Sequence, residues 1–178
     1  GKPLPFYRVK LFDHDPKYKQ LANAPNHVYF PRKFLEVFNS GPKNLVFLVE
    51  GEKKAALLCK LGFPAVAFGG VDSWRNKVLL LPKDTKFAPY KYNPGIVAAR
   101  VTDTDEIQET LTGFAEGFET LTNFGLHYQV TWVICYDTDT TFGVKPEVQR
   151  AASALGHELR HRGFGIKQIR QLILPNIP

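Results

Sequence analysis

Residues 44–70 constrain the fold of this chain more than any other segment. They begin with an apolar run at 45–49, which Glu50 and Gly51 interrupt abruptly, and a helical pattern of apolar residues starts directly afterwards. A second apolar run at 65–68 then ends in two glycines. The order strand, acidic turn, helix, strand is that of a βαβ unit with two parallel, buried strands. Ligands of such units bind outside the carboxyl ends of the strands, which is where Glu50 lies.

Hydrophobic patterns predict the other elements. Strands are predicted at residues 4–12, 27–30, 78–81, 129–136 and 166–174, and helices at 34–38, 105–124 and 146–163. Together these elements predict an α/β protein whose central parallel sheet is flanked by helices. We expect residues 1–40 to form a small N-terminal β/α preface subdomain and residues 41–178 to form the main domain.

The helix predicted at 105–124 depends on a spacing of four and three residues between apolar positions. These positions are Ile107, Leu111, Phe114, Phe118 and Leu121. The other face of this helix would hold a block of acidic residues. Gly113 and Gly117 would each weaken the helix by about 1 kcal/mol relative to alanine, so tertiary packing would have to stabilise it.

Basic and acidic residues are unevenly distributed along the chain. Residues 1–100 contain 17 Lys or Arg and 7 Asp or Glu, whereas residues 101–140 contain eight Asp or Glu and no Lys or Arg. A basic surface favours a polyanion as a partner. Solvated surface charge without a partner is the alternative, and charge alone does not decide between the two.

Cysteine content and hydropathy bear on the cellular location. Cys59 and Cys135 lie in apolar runs without a CxxC partner, which predicts reduced core thiols in a cytoplasmic protein. No apolar run approaches the ~20 residues needed to span a bilayer, so no membrane association is expected. The chain contains no methionine, and we expect it to be a fragment of a larger protein.

Acidic residues follow two of the predicted strands. Glu50 follows the first strand of the βαβ unit, and Asp137 and Asp139 follow the strand at 129–136. If these strands are parallel neighbours, the carboxylates meet at one edge of the sheet and repel each other unless a cation neutralises them. Oxygen ligands select a hard cation such as Mg²⁺. The alternative makes Glu50 a helix N-terminal acid and the two aspartates turn residues.

Several motifs match a known family. The run LVEGEKKA, the GG turn, and YDTD followed by a helix and a strand ending in LILP resemble the Toprim domain, the metal-binding catalytic fold of bacterial primases, topoisomerases and some nucleases. KYKQLANAP followed by VYFPRKFLEVF is similar to the segment that precedes this domain in bacterial primases. EGEKKA, GGV-x-SW and D-x-D are closer still to a Toprim-like family of unknown function found in phage, plasmid and cyanobacterial replication proteins. The resemblance covers nearly the whole chain.

The resemblance implies a Toprim-like, Rossmann-like fold and a metal-dependent activity on nucleic acid. Asp137 and Asp139 would ligate Mg²⁺ or Mn²⁺, and Glu50 would act as a general acid or base or as a further ligand. The implied reaction is phosphoryl or nucleotidyl transfer in primer synthesis during DNA replication. Single-stranded DNA and nucleotides would be the partners, with helicase or polymerase-like domains flanking this fragment. A Toprim nuclease and a catalytically silent nucleic-acid-binding module are the alternatives.

Two features depart from the bacterial primase pattern. Lys54 stands where primases usually have an aspartate, so primase activity does not transfer directly. Primases also place further acids beyond the strand that follows the DxD helix, whereas no acid follows Glu158 here. We therefore expect the metal site to be incomplete in this fragment, with room for one hydrated cation.

Basic residues near these motifs are candidates for phosphate contacts. Lys53 and Lys54 would lie in the first turn of a helix, where their charge opposes the macrodipole unless a phosphate is bound. Glu52 beside them permits a purely structural interpretation. By the resemblance, Lys17 and Lys19 are expected to contact the nucleic-acid backbone. The expected turn and phosphate-approach residues are Gly51, Gly69 and Gly70.

The sequence HELRH at 157–161 matches the H-E-x-x-H signature of zinc peptidases. The predicted helix buries its opposite face, so His157 and His161 are expected to point to solvent and to bind no metal. No Asp, Glu or His follows His161 to provide a third ligand. A zinc metallopeptidase is therefore a remote alternative.

Overall fold

Ten strands and four α-helices form the part of the chain that the structure describes. The computed structural model describes residues 8–10, 18–20, 24–42, 44–82, 96–103, 107–137 and 146–173. The strands are β1 (Arg8–Lys10), β2 (Tyr18–Gln20), β3 (Val28–Tyr29), β4 (Leu45–Glu50), β5 (Ala65–Phe68), β6 (Arg75–Pro82), β7 (Ile96–Thr102), β8 (Gln108–Phe114), β9 (Thr131–Cys135) and β10 (Ile169–Gln171). The helices are α1 (Phe34–Ser40), α2 (Glu52–Lys60), α3 (Phe118–His127) and α4 (Pro146–His161).

A mostly parallel sheet of five strands lies at the centre, in the order β10-β9-β4-β5-β3. Strand β4 pairs in parallel with β5 on one side and with β9 on the other, and β10 continues the parallel pairing beyond β9. Among the described strands of this sheet, the edge strand β3 alone is antiparallel. Helices flank this central sheet, so the predicted α/β class is confirmed and the arrangement is Rossmann-like. The βαβ unit predicted at 44–70 is also confirmed, because β4 and β5 are parallel and α2 lies between them in the chain.

Continuous apolar runs explain why β4, β5 and β9 occupy the middle of the sheet. All four residues of β5 are fully buried, and Trp132 of β9 is among the largest fully buried side chains. Strands covered on both faces need such runs. The helices contribute one buried face each, formed by Phe34, Val37 and Phe38 in α1, Ala55 and Cys59 in α2, Phe118 and Leu121 in α3, and Ala151, Ala152, Leu155 and Leu159 in α4. The sequence predicts a core face of Val148, Ala151, Ala152, Leu155 and Leu159 for this helix, which is confirmed except that Val148 is only partly buried.

The N-terminal elements follow the sequence predictions where the structure describes them. The strand predicted at 27–30 and the helix predicted at 34–38 correspond to β3 and α1, and β3 joins the central sheet through β5. Strand β1 lies inside the strand predicted at 4–12 and pairs with β2. The domain boundary expected at residue 40 stays a prediction.

The helix predicted at 105–124 is wrong. Residues 108–114 form β8, which pairs antiparallel with β6, and a helix begins only at Phe118. Ile107 and Leu111 are 61% and 53% exposed, so these two apolar residues do not belong to a buried helical face. Gly113 has a φ of +145° and Gly117 a φ of +85°. Glycine adopts such angles without a steric penalty; Gly113 lies inside β8, and Gly117 is the residue directly before α3.

The remaining elements complete two sheets. Strand β6 extends the strand predicted at 78–81 in both directions and is central in a three-stranded sheet of order β7-β6-β8. The strand predicted at 166–174 is shorter in the structure, because residues 166–168 form a 3₁₀ turn before β10. Among the described residues, no helix has the length and apolar character needed to cross a membrane.

Candidate functional site

A cavity of about 280 Å³ opens at the carboxyl ends of β4 and β5. The predicted site residues that line it are Glu50, Gly51, Lys53, Lys54, Gly69 and Asp137. Glu52 also contributes to the lining. Six of the positions selected from the sequence therefore meet in one place, although they come from three separate parts of the chain.

Strand register explains why Glu50 and Asp137 share this cavity. Val49 of β4 is paired with Cys135 of β9, so Glu50 and Asp137 leave the sheet at neighbouring points on the same edge. Glu50 is itself paired with Phe68, the last residue of β5, and Gly69 follows directly. The ends of three adjacent parallel strands thus surround the cavity, as predicted for ligand sites of this fold class.

Gly51 makes the sharp change from strand to helix possible. Its φ of +90° is accessible to glycine and strained for other residues. Its amide N–H donates a hydrogen bond to the carbonyl of Phe68, with an N···O distance of 2.8 Å. Helix α2 starts at the next residue without a side-chain cap, so its first N–H groups are not satisfied by a capping side chain. This geometry brings the first turn of α2 to the cavity beside Glu50.

Lys54 and Asp137 form an ion pair inside this cavity. Their side chains are 47% and 39% exposed, so water reaches the pair. Sequence reasoning recognised both residues but did not connect them. The pair neutralises one of the three acids that are predicted to surround a metal ion.

The structure does not bring every predicted residue to the site. Gly70 is buried and follows the lining residue Gly69 without lining the cavity itself. Asp139 and Lys17 lie outside the described residues, as does the side chain of Lys19. The roles expected for these three residues stay predictions.

Tyr136 and Asp72 are residues near the site that sequence reasoning missed. The Tyr136 hydroxyl is buried and has no hydrogen-bond partner within the described part of the chain. Burial raises the pKa of Tyr136 well above its usual value, and the carboxylates of Asp72 and Glu50 raise that pKa further. Both carboxylates therefore lie close enough to act electrostatically on this hydroxyl. The available signal was the motif GGV-x-SW, whose variable position is Asp72.

Asp72 is fixed by two basic side chains. Its carboxylate accepts a hydrogen bond from Arg75 at 2.8 Å and another from Lys77 at 3.3 Å. All three side chains are mostly buried, with exposed fractions between 12% and 24%. Buried charges are tolerated when they are paired in this way, so Asp72 has a structural role that needs no ligand.

The two cysteines carry free thiols, and neither has the environment of a reactive cysteine. Burial raises the pKa of Cys135, and the nearby Asp137 carboxylate raises that pKa further, against an opposing effect of Lys54. Burial likewise raises the pKa of Cys59. Both groups therefore remain thiols near neutral pH, which argues against nucleophilic catalysis by either one.

The donor set of the cavity fits a hydrated hard cation. Glu50 and Asp137 offer carboxylate oxygens, the ligand type that Mg²⁺ prefers, and Mg²⁺ keeps several waters when protein ligands are few. Within the described residues, no group of three or more His, Cys, Asp or Glu side chains is placed to hold a metal ion. Among the described residues, the cavity thus offers a cation the carboxylates of Glu50 and Asp137, and water would complete the coordination.

His157 and His161 are exposed on α4, on the side opposite the buried face of this helix. The prediction that both point to solvent is confirmed. An exposed histidine pair lacks the enclosed cleft that a metallopeptidase uses to bind its substrate.

Purified protein is expected to contain far less than one equivalent of zinc, because two exposed histidines one turn apart do not complete a tetrahedral site. Elemental analysis of the wild-type protein and of the His161→Ala variant tests this expectation, and the two should give the same low value. Stoichiometric zinc that disappears in the variant would restore the peptidase alternative.

Comparisons with protein-family models, with curated proteins and with solved structures find no match to this chain. The residues and geometry of the cavity are therefore the basis for inferring a function.

Proposed function

We propose that this protein binds one Mg²⁺ or Mn²⁺ ion through Glu50 and Asp137 and catalyses nucleotidyl transfer on nucleic acid, as a primase-like Toprim domain of a DNA replication protein. The observation that supports this proposal is the cavity in which both carboxylates meet Lys53, Lys54 and Gly69. Phosphoryl transfer uses carboxylates that hold a hard cation and basic side chains that contact the phosphates.

Each residue has a distinct role in this proposal. Asp137 and Glu50 hold the cation, which stabilises negative charge on the phosphoryl oxygens when it is bound. Glu50, at the end of a buried strand, is also the candidate acceptor for the proton of the attacking hydroxyl. Lys53 is exposed in the first turn of α2 and lines the cavity, so its ammonium group can pair with a phosphate.

The charge distribution supports nucleic acid as the partner. Residues 1–100 hold 17 basic and 7 acidic side chains, and this part of the chain includes β4, α2 and β5 around the cavity. We propose single-stranded DNA and nucleotides as the substrates, cytoplasmic location, and attachment to further replication domains. Asp139 is proposed as an additional ligand on the basis of the DxD motif.

A catalytically silent nucleic-acid-binding module is the second candidate, and the Lys54–Asp137 ion pair favours it. An acid that is already neutralised by a lysine has less need of a metal ion. Incubation of the protein with single-stranded DNA, nucleotides and Mg²⁺ separates the candidates. New primers support the proposal, cleavage products indicate a nuclease, and retention of DNA without either product indicates the silent module.

DNA affinity is expected to fall at least tenfold between about 50 and 200 mM salt, because phosphate contacts release counterions. At a fixed salt concentration, the double variant with Lys17→Glu and Lys19→Glu should bind DNA about tenfold more weakly than the wild-type protein. Fluorescence anisotropy with a labelled single strand measures both effects. Lys60→Glu combined with Lys167→Glu is the matched control, since it makes the same charge change at two exposed lysines elsewhere in the chain. Equal losses in the two double variants would remove Lys17 and Lys19 from the contact surface.

A further inference from the structure

The Lys54 ammonium group already neutralises the carboxylate that a divalent cation would need. Lys54 reaches Asp137 from the first turn of α2, and both side chains line the cavity that contains Glu50. A cation bound to Asp137 with this pair intact would place like charges within a few ångströms of each other. The cation and the ammonium group therefore compete for the same carboxylate.

The ion pair is placed so that it can be broken. Lys54 is 47% exposed and its partner is 39% exposed, so water and salt weaken their attraction. The ammonium group also sits at the end of a flexible four-carbon stem and can move into solvent without a change in the backbone. Lys54 thus reduces the affinity for a cation but does not block its binding permanently.

Lys53 provides a natural comparison, because it is adjacent in the sequence, exposed, and part of the same cavity lining. In the described part of the chain, the ion pair with Asp137 comes from Lys54. The two lysines contribute the same formal charge to the cavity. A difference in cation affinity between variants of these two lysines must therefore come from the contact with Asp137 and not from net charge.

We infer that Lys54 is a built-in counter-ion of Asp137 that competes with the divalent cation and so sets the cation affinity of this site. This inference rests on the proposed function, because it assumes that Asp137 is a metal ligand. A cation must therefore displace this internal positive charge before it binds Asp137.

Mn²⁺ binding tests the inference directly, since electron paramagnetic resonance reports the concentration of the free ion. We expect Lys54→Met to bind Mn²⁺ about tenfold more tightly than the wild-type protein and Lys53→Met to bind at most about threefold more tightly. Lys54→Arg keeps the charge and should retain the weak wild-type affinity. Methionine is a good helix former, so neither methionine variant should disturb α2.

The outcomes separate the inference from the proposed function. Equal Mn²⁺ affinity in the Lys54→Met and Lys53→Met variants, with binding in the wild-type protein, overturns the inference alone. Binding in Lys54→Met without detectable binding in the wild-type protein supports the inference and overturns the proposed function. Absence of binding in all four proteins overturns both.

Discussion

Replacement of Gly125 by alanine is expected to destabilise the protein by about 3 kcal/mol, at the upper end of what overpacking usually costs. A Cβ atom at Gly125 would lie 2.2 Å from Cζ2 of Trp132 and 2.9 Å from Cζ of Phe164. Trp132 is fully buried and Phe164 is 3% exposed, so neither ring can move into solvent. The midpoint of urea unfolding measures the change, and the melting temperature should fall by about 10 °C.

Gly156 is the matched control because it is also a helical glycine. A Cβ atom there would meet Ile169 at 3.7 Å and Ile134 at 4.0 Å, which are ordinary contacts. Gly156→Ala should therefore stabilise the protein by about 0.5–1 kcal/mol through the higher helix propensity of alanine. If both variants changed the unfolding midpoint in the same direction, the close approach of α3 to Trp132 would be wrong.

The central sheet could be predicted from the sequence because its strands are buried on both faces. Continuous apolar runs such as those of β5 and β9 have few alternative structures once a glycine or an acidic turn follows them. The same logic predicted that Glu50 and Asp137 would meet, since both follow parallel strands. The proximity of Glu50 and Asp137 follows from the order of the parallel strands and needs no further information.

The segment at 105–124 could not be assigned in this way. Apolar residues at β8 and α3 happen to follow a helical spacing across the junction between two elements, although Ile107 and Leu111 are exposed in the structure. Gly113 and Gly117, which would be weak positions in a helix, both have a positive φ that an α-helix does not contain. A Cβ atom at Gly117 would lie 3.5 Å from Val28 and from Phe30, which belong to a distant segment, and periodicity does not report such an approach.

The contacts of individual side chains at the site were also beyond sequence reasoning. Lys54 and Asp137 are 83 positions apart, and their pairing depends on where a flexible lysine comes to rest. Tyr136 lies in the strand predicted at 129–136, yet its buried hydroxyl is influenced by Asp72 and Glu50. Such electrostatic relations need the tertiary structure, because no local pattern distinguishes them from solvated surface charge.

Glu50→Gln is expected to lower Mg²⁺-dependent nucleotidyl transfer by at least about 100-fold, provided that the protein is the enzyme proposed above. Glutamine has nearly the same shape, so the end of β4 and the turn at Gly51 should be preserved. It offers the cation no negative charge, and its amide cannot accept the proton of an attacking hydroxyl. Turnover at saturating Mg²⁺, with the Mn²⁺ affinity of the same variant, measures the two losses separately.

Glu52→Gln makes the same chemical change in the same cavity and is the control for lost charge. Glu52 lies in the first turn of α2, where an acid stabilises the helix end by about 0.3–1 kcal/mol. Its replacement should therefore change turnover by no more than a few-fold. Equal losses in the Glu50 and Glu52 variants would mean that the cavity responds to its total charge, and Glu50 would then have no specific part in the reaction.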